Sequence, residues 1–384
     1  MTRPTTTGKA QDLITFTRST TGTYLGSDNL LKSAAINEAR IEYDASGNCL
    51  GLLVEEARTN LFRYSQELSN VSSELEITDN ATVSPDGTQN ASLCVPTSVS
   101  ANHFVDDQSA TIGTDYGISC FAKYGSGSYL LAFRGAGIGS NSPQFDLQTG
   151  TVVNEGASSD WSNTKMEEVG NGWYKCSSVG NAKSSTPPRI QLLGSDTATT
   201  FIGDGTGHYI WGFQVELGSF PTSYIPTSGS AATRADDLAS LAVSEFGYNQ
   251  DQCSVVVESN FFGGTNTSAL CYIGEDTSDR ILFYYSNKNL SFQVKSSGAL
   301  QATKSLSGQR NKAAFRYKLN DMVLAGDGSI SSTDTAANLL GGTQNNIYIG
   351  SYYHNAGAHL NGHIKSIQYY PVGLSNAQLQ ALTV

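Results

Sequence analysis

From about Leu68 to Tyr224 the chain repeats one pattern: a short run in which apolar and polar residues alternate, then a turn signal. The runs are ASLCVPTS, YGISCFAKYG, YLLAFRGAG, PQFDLQTGTVVN, TKMEEVGNGWYKCSSV, PRIQLLG and TTFIGDGTGHYIWGFQVELG. In ISCFAKY, Ile118, Cys120, Ala122 and Tyr124 fall on one face and Ser119, Phe121 and Lys123 on the other. A period of two is what a half-buried strand imposes. The QTG of FDLQTGTVV predicts a hairpin with Gly150 at positive φ. Evenly spaced strands with such turns predict an antiparallel sandwich.

A second series runs from about Ala235 to Val384: CSVVVESNFF, ALCYIGE, ILFYYSN, LSFQVKSS, NKAAFRYKLN, MVLAGDG, NIYIGSYY and HIKSIQYYPVGL. It closes on LSNAQLQALTV, where Ser375 is an N-cap and Leu374, Leu379 and Leu382 share a face, so a short terminal helix is predicted. Between the two series, residues 228–234 are small and polar and read as a linker. The first 65 residues hold too few apolar positions for a core. They read as an extended arm that buries Ile14, Phe16, Tyr24, Leu52, Leu53, Leu61 and Phe62 against something larger, another subunit being one option. The fold class is therefore all-β: two antiparallel β-sandwich (jelly-roll) domains in tandem behind an extended N-terminal arm. The boundaries read as 1–65 (arm), 66–227 (first sandwich), 228–234 (linker) and 235–384 (second sandwich).

Composition agrees with this class and narrows the partners. Charged residues are only 15% of the chain while Tyr (19) and Phe (15) are frequent, which favours pleated surfaces over helices. A net charge of −11 repels phosphate backbones, so nucleic acid is excluded as a partner. No apolar run is long enough to span a bilayer, and the opening MTRPTTTGKAQDLITF has no apolar stretch of a secretory leader. Synthesis in a cytoplasm without membrane insertion is expected. The six cysteines form no CxxC pair; four of them, Cys94, Cys120, Cys176 and Cys253, lie in strand-like runs, and buried free thiols are expected rather than disulfides.

Three segments resemble known families. LGLLVEEARTNLFRYSQEL (50–68) is similar to a segment of bacteriophage head-spike and tail-fibre proteins that precedes a carbohydrate-binding-module-like sandwich. NGWYKC (171–176), followed by HYIWGFQVELGSFPTSYIPT and TRADD, resembles the last strands and exit of that sandwich in the same proteins. NIYIGSYYHNAGAHLNGHIKSIQYYPVGLSNAQLQAL resembles the closing strands of concanavalin A-like and laminin-G-like lectin domains. The resemblance implies a fibre or spike on the virion surface, made in the host cytoplasm, homotrimeric, docked to other virion proteins through its arm and binding host-surface glycans for adsorption. A polysaccharide depolymerase with a site at subunit boundaries, and a ligand-free decoration protein, are the alternatives.

The candidate chemistry is that of binding. Glycoside hydrolysis needs two convergent carboxylates. The acidic pairs Glu55/Glu56, Asp106/Asp107, Glu167/Glu168, Asp236/Asp237 and Glu275/Asp276 are each adjacent in sequence, which on a strand sends them to opposite faces. No hydrolase, metalloprotease or phosphate-loop motif is present, so no catalytic residue is assigned. No metal site or cofactor is expected, although the oxygen-rich turns at 204–208 and 327–329 leave a structural calcium open.

Sugar recognition uses an aromatic face and neutral hydrogen-bonding groups. Trp161, in the polar context SSDWSN, reads as an exposed platform, whereas Trp173 and Trp211 read as packing residues. In HYIWGFQVELG, alternation puts Tyr209, Trp211, Phe213, Val215 and Leu217 on a core face, leaving His208, Gln214 and Glu216 on a face for ligand or solvent. Tyr284/Tyr285 and Tyr352/Tyr353 must each turn one ring outward if the other faces the core. Tyr353, with His354 and His359 from HNAGAHLNGH, completes the candidate set.

Overall fold

The computed structural model describes residues 13–139, 141–262, 267–352 and 358–384. The protein is all-β, with antiparallel sheets packed in pairs and one short helix, Asn376–Leu382, among the described residues. In the first sandwich, one six-stranded sheet runs Thr151–Glu155, Pro143–Asp146, Leu130–Gly135, Pro188–Leu193, His103–Asp106, Ser72–Ser73. The facing sheet runs Trp161–Gly170, Trp173–Asn181, Asp115–Lys123, His208–Leu217, Ala91–Pro96, Leu75–Thr82. Their inner faces bury Ile118, Cys120, Leu131, Phe133, Phe145, Ile190 and Phe213 in one core. Gly150 takes φ 69°, as the turn between its strands requires.

The second sandwich pairs two seven-stranded sheets around Val255, Val257, Phe283, Phe292 and Phe315, the last two rings stacked at 4.6 Å. Both sheets take strands from the N-terminal segment. Thr15–Thr17 lies at the edge of one, beside Leu238–Ala242. Cys49–Val54 pairs with Gly362–Tyr370 in the other, and Ile41–Tyr43 forms its margin. Phe16 and Leu52 thereby enter the second core, while Phe62 enters the first. A hairpin, Gly22–Leu25 with Leu31–Ala34, lies over the outer face of the first sandwich, where Leu25 packs with Phe121, Trp173, Trp211 and Tyr224. A segment too polar for a core of its own thus buries its few apolar residues in two others.

The strand Arg58–Asn60 pairs with Ala232–Arg234, which brings the VEEARTN and TRADD segments together. Around them Arg18, Arg40 and Arg234 meet Glu55 and Asp237, all five side chains buried. Arg18 Nη1 lies 3.1 Å from Asp237 Oδ1, and Arg40 Nη2 lies 2.8 Å from Glu55 Oε2 and also pairs with Asp237. Arg234 Nη2 approaches Glu55 Oε2 at 3.4 Å. The carboxylates are further held by the Ser223 amide and hydroxyl (2.8 and 2.6 Å to Glu55) and by the Glu55 amide (2.9 Å to Asp237). Burial alone would raise the Glu55 pKa, but the Arg234 and Arg40 charges and the Ser223 donors outweigh it and hold the carboxyl far below the usual range.

The helix begins as its sequence dictates. The Ser375 hydroxyl accepts from the Gln378 amide and the Gln378 side chain returns to the Ser375 amide, a capping box. Leu379 is fully buried beneath it.

Candidate functional site

The outer face of one sheet of the second sandwich carries a row of tyrosines. Strand parity sets it: Ile281, Phe283 and Tyr285 point into the core, so Leu282 and Tyr284 point outward. Tyr348, Tyr272, Leu282 and Gln293 are cross-strand neighbours on four successive strands. Tyr272 packs against Tyr348 and Tyr352 with ring centroids 6.0 and 4.8 Å apart. Arg280 sits 5.3 Å over the Tyr352 ring, donates to its hydroxyl and donates to Gln293 Oε1 at 2.9 Å.

The next row is Tyr284, Ser291 and Ser305, again in register. Beside it the strands end in a tight hairpin whose two central residues, Asn287 (φ 47°) and Lys288 (φ 64°), are both left-handed, the geometry of a type I′ turn. The turn and the strand ends enclose an open groove of about 410 Å³, lined by Tyr284, Ser286, Asn287, Asn289, Ser291 and Ser305. Ser291 Oγ and Ser305 Oγ lie 3.0 Å apart, and Asn289 Oδ1 accepts from the Gly308 amide at 3.1 Å. Tyr284 is half-buried, and that burial raises its hydroxyl pKa. No lining side chain carries a formal charge. The groove thus offers one aromatic face, hydroxyls and amides, the set that fits the apolar face and hydroxyl rim of a neutral sugar.

The residues singled out from sequence lie elsewhere. Trp161 is not an exposed platform: it is 3% exposed and packs in the first core against Gly180, its cross-strand partner. The absence of a side chain at position 180 is what makes room for the indole.

His208, Gln214 and Glu216 do not share an open face either. Gly212 (φ 63°) and Phe213 together oppose Cys120, a bulge that shifts the alternation by one. Ile210 and Phe213 both point into the core, while Trp211 points outward beneath Tyr224 (ring centroids 4.6 Å). Gln214 and Glu216 point the same way as Trp211, and the segment 219–227 folds back to cover them. Gln214 donates to the Ser223 carbonyl (3.2 Å) and accepts from the Ile225 amide (2.7 Å). Glu216 accepts from the Thr222 amide (2.8 Å) and hydroxyl (2.5 Å). Burial raises the Glu216 pKa, the Thr222 donors offsetting part of it. His208 is turned inward, its Nε2 donating to the Tyr129 carbonyl at 2.8 Å, and burial lowers its pKa.

His359 is 2% exposed and its Nε2 lies 3.4 Å from Asp236 Oδ2. Tyr353 and His354 lie outside the described residues. Of the paired tyrosines, Tyr285 is the core member and Tyr284 the groove member. In the two oxygen-rich turns one carboxylate oxygen of each aspartate is engaged by protein donors: Asp204 Oδ1 accepts from Tyr129 (2.7 Å) and the Thr206 amide (2.9 Å), and Asp327 Oδ1 from the Lys312 amide (3.1 Å). Among the described residues no three His, Cys, Asp or Glu side chains converge to hold a metal ion.

The Tyr284 groove had a sequence signal, the outward member of a Tyr-Tyr pair. Its hydroxyl and amide partners had none, because Ser291 and Ser305 become neighbours only through strand register.

No protein-family model matches the chain and no curated protein matches it. Among solved structures the chain is similar to the CBM40 domain of Ruminococcus gnavus IT-sialidase bound to α2,3-sialyllactose, at 15% identity over 35% of this chain and 84% of that one (TM-score 0.32). It is also similar to mouse laminin α1 chain domains LG4-5, at 11% identity over 85% and 91% (TM-score 0.26). A third is the receptor-binding domain of botulinum neurotoxin mosaic serotype C/D, at 12% identity over 38% and 39% (TM-score 0.28). The likeness is distant and gives no residue-by-residue correspondence.

Proposed function

We propose that this chain is a non-catalytic glycan-binding protein of a bacteriophage virion surface, in which the second sandwich holds a neutral sugar against Tyr284. The observation that carries the binding reading is the groove itself, with one half-buried aromatic ring among uncharged hydroxyl and amide groups. The virion setting, the trimer and attachment through the N-terminal segment rest on the sequence resemblances of 50–68 and of NGWYKC to TRADD. An open groove with one ring supports weak capture, of the order of a millimolar dissociation constant or about 4 kcal/mol. Several copies on one particle raise the avidity without new contacts.

A binding role without hydrolysis is further supported by the fate of the acids. Glu55 and Asp237, from two different acidic pairs, do converge, but they are buried and share Arg40. A carboxyl held far below its usual pKa is a poor general acid.

The test is a glycan array probed with the chain displayed multivalently, combined with a reducing-end assay on the bound polysaccharides. Retention of neutral glycans without release of reducing ends is expected. Release would replace this reading with a depolymerase, and the absence of any glycan signal would replace it with a decoration protein.

A further inference from the structure

Two of the six cysteines are direct neighbours. The strands Asp115–Lys123 and Trp173–Asn181 run antiparallel with Cys120 opposite Cys176, both side chains fully buried in the core of the first sandwich. Both are free thiols. Residues directly opposite on antiparallel strands have Cα atoms about 4.5–5.5 Å apart, inside the window of about 4.4–6.8 Å that a disulfide spans. Burial and the hydrogen-bonding contact with the Cys176 thiol hold the Cys120 pKa well above its usual value, so the pair stays protonated.

The other cysteines do not meet that geometry. Cys94 lies on Ala91–Pro96, and the strand His208–Leu217 separates it from the Cys120 strand, two strand spacings or about 9–10 Å. Cys253 and Cys271 stand on the two facing sheets of the second sandwich, which pack about 10 Å apart. Cys49 is exposed, and its cross-strand partner is Tyr43. The backbone at Cys120 is also less constrained than a central strand usually is. On the side away from Cys176 it faces the Gly212–Phe213 bulge, where the ladder is interrupted. Drawing the two sulfurs together therefore strains one regular ladder rather than two.

We propose that Cys120 and Cys176 form a latent disulfide site, which a small organic disulfide closes under oxidising conditions and which then locks the first sandwich. One cysteine thiolate attacks a sulfur of the oxidant, forming a mixed disulfide and releasing one small thiol. The other thiolate attacks the modified cysteine sulfur and releases the second small thiol. The two protons and two electrons of the cysteine thiols end on the released thiols, and one S–S bond replaces another. Because the pair is buried and protonated, the first attack requires the two strands to part locally, so closure is slow in the native chain. Once closed, the bond ties positions 120 and 176 in the unfolded chain and raises stability. The proposal is independent of the sugar reading.

The experiment is incubation of the full chain with 2-hydroxyethyl disulfide, in buffer and in urea below the unfolding midpoint. Remaining thiols are then blocked with N-ethylmaleimide and the peptides mapped by mass spectrometry. The expected result is a Cys120–Cys176 crosslink as the dominant one in both media, formed about tenfold faster in urea, with Cys49 carrying only the mixed disulfide. The oxidised chain should melt about 4 °C or more above the reduced one, a shift that dithiothreitol reverses. C120A and C176A should each abolish the crosslink, and C94A should leave it. The map of the parent chain decides the matter if an alanine variant misfolds. Absence of the Cys120–Cys176 crosslink, a mixture in which Cys94 or Cys271 is crosslinked as often, or an oxidised chain whose Tm is unchanged or lowered would each overturn the proposal.

Discussion

Arg18 and Asp237 stand 219 residues apart in the chain, yet Arg18 Nη1 and Asp237 Oδ1 meet at 3.1 Å with both side chains fully buried. The contact closes an ionic knot in which three guanidiniums share two carboxylates. Removing one carboxylate leaves buried positive charge uncompensated, which costs about 3–5 kcal/mol. Asp237→Asn, nearly isosteric, is expected to lower the unfolding free energy by that amount in urea denaturation. It should also speed proteolytic cleavage within residues 13–60, whose strands the knot ties to the rest. A change within about 0.5 kcal/mol would show that the knot is dispensable.

The same knot sets an acid limit on stability. The folded Glu55 pKa is depressed below its unfolded value of about 4.3. Its contribution is therefore fully present above that value and is lost as pH falls through the folded pKa. Glu216 has the opposite sign: its folded pKa is raised, so its contribution is present at low pH and is lost as pH rises through that value. Urea midpoints from pH 2.5 to 7 should show a flatter acid limb in Glu55→Gln and a loss of about 3–5 kcal/mol at pH 7. Glu216→Gln keeps an acceptor for the Thr222 amide and should stay within about 1 kcal/mol of the parent at pH 7 or exceed it.

Gly212 permits the bulge that turns Trp211 outward. A Cβ there would sit 3.0 Å from the Phe121 ring and 3.3 Å from that of Tyr224, at a φ that L residues rarely adopt. Gly212→Ala should cost about 1–3 kcal/mol, read as a fall in Tm.

All three tryptophans are buried. Acrylamide should quench native fluorescence weakly, and a sugar bound at Tyr284 should leave the tryptophan spectrum unchanged. A large spectral shift on sugar binding would place the ligand against an indole instead.

Regular strands were legible from sequence because their register depends on local alternation. Ile118, Cys120 and Ala122 do share the core face while Phe121 packs in a separate cluster. The capped terminal helix was legible for the same local reason. The strand His208–Leu217 was not, since one left-handed glycine reverses the parity that assigned Gln214 and Glu216 to an open face. Trp161 was misread because its burial depends on Gly180, a partner that only register supplies. The N-terminal segment hid its role in the same way: Leu52 and Leu53 find Ile364 and His363 across almost the whole chain.

The role proposed for the second sandwich stands or falls on whether a neutral sugar binds against Tyr284. Saturation-transfer difference NMR of the full chain with methyl glycosides of glucose, galactose, mannose and N-acetylglucosamine tests it directly. At least one glycoside is expected to give ring-proton transfer that disappears in Tyr284→Ala, while that variant keeps the parent Tm. Transfer of undiminished strength in a folded Tyr284→Ala protein, or none from any glycoside to the parent, would contradict the claim.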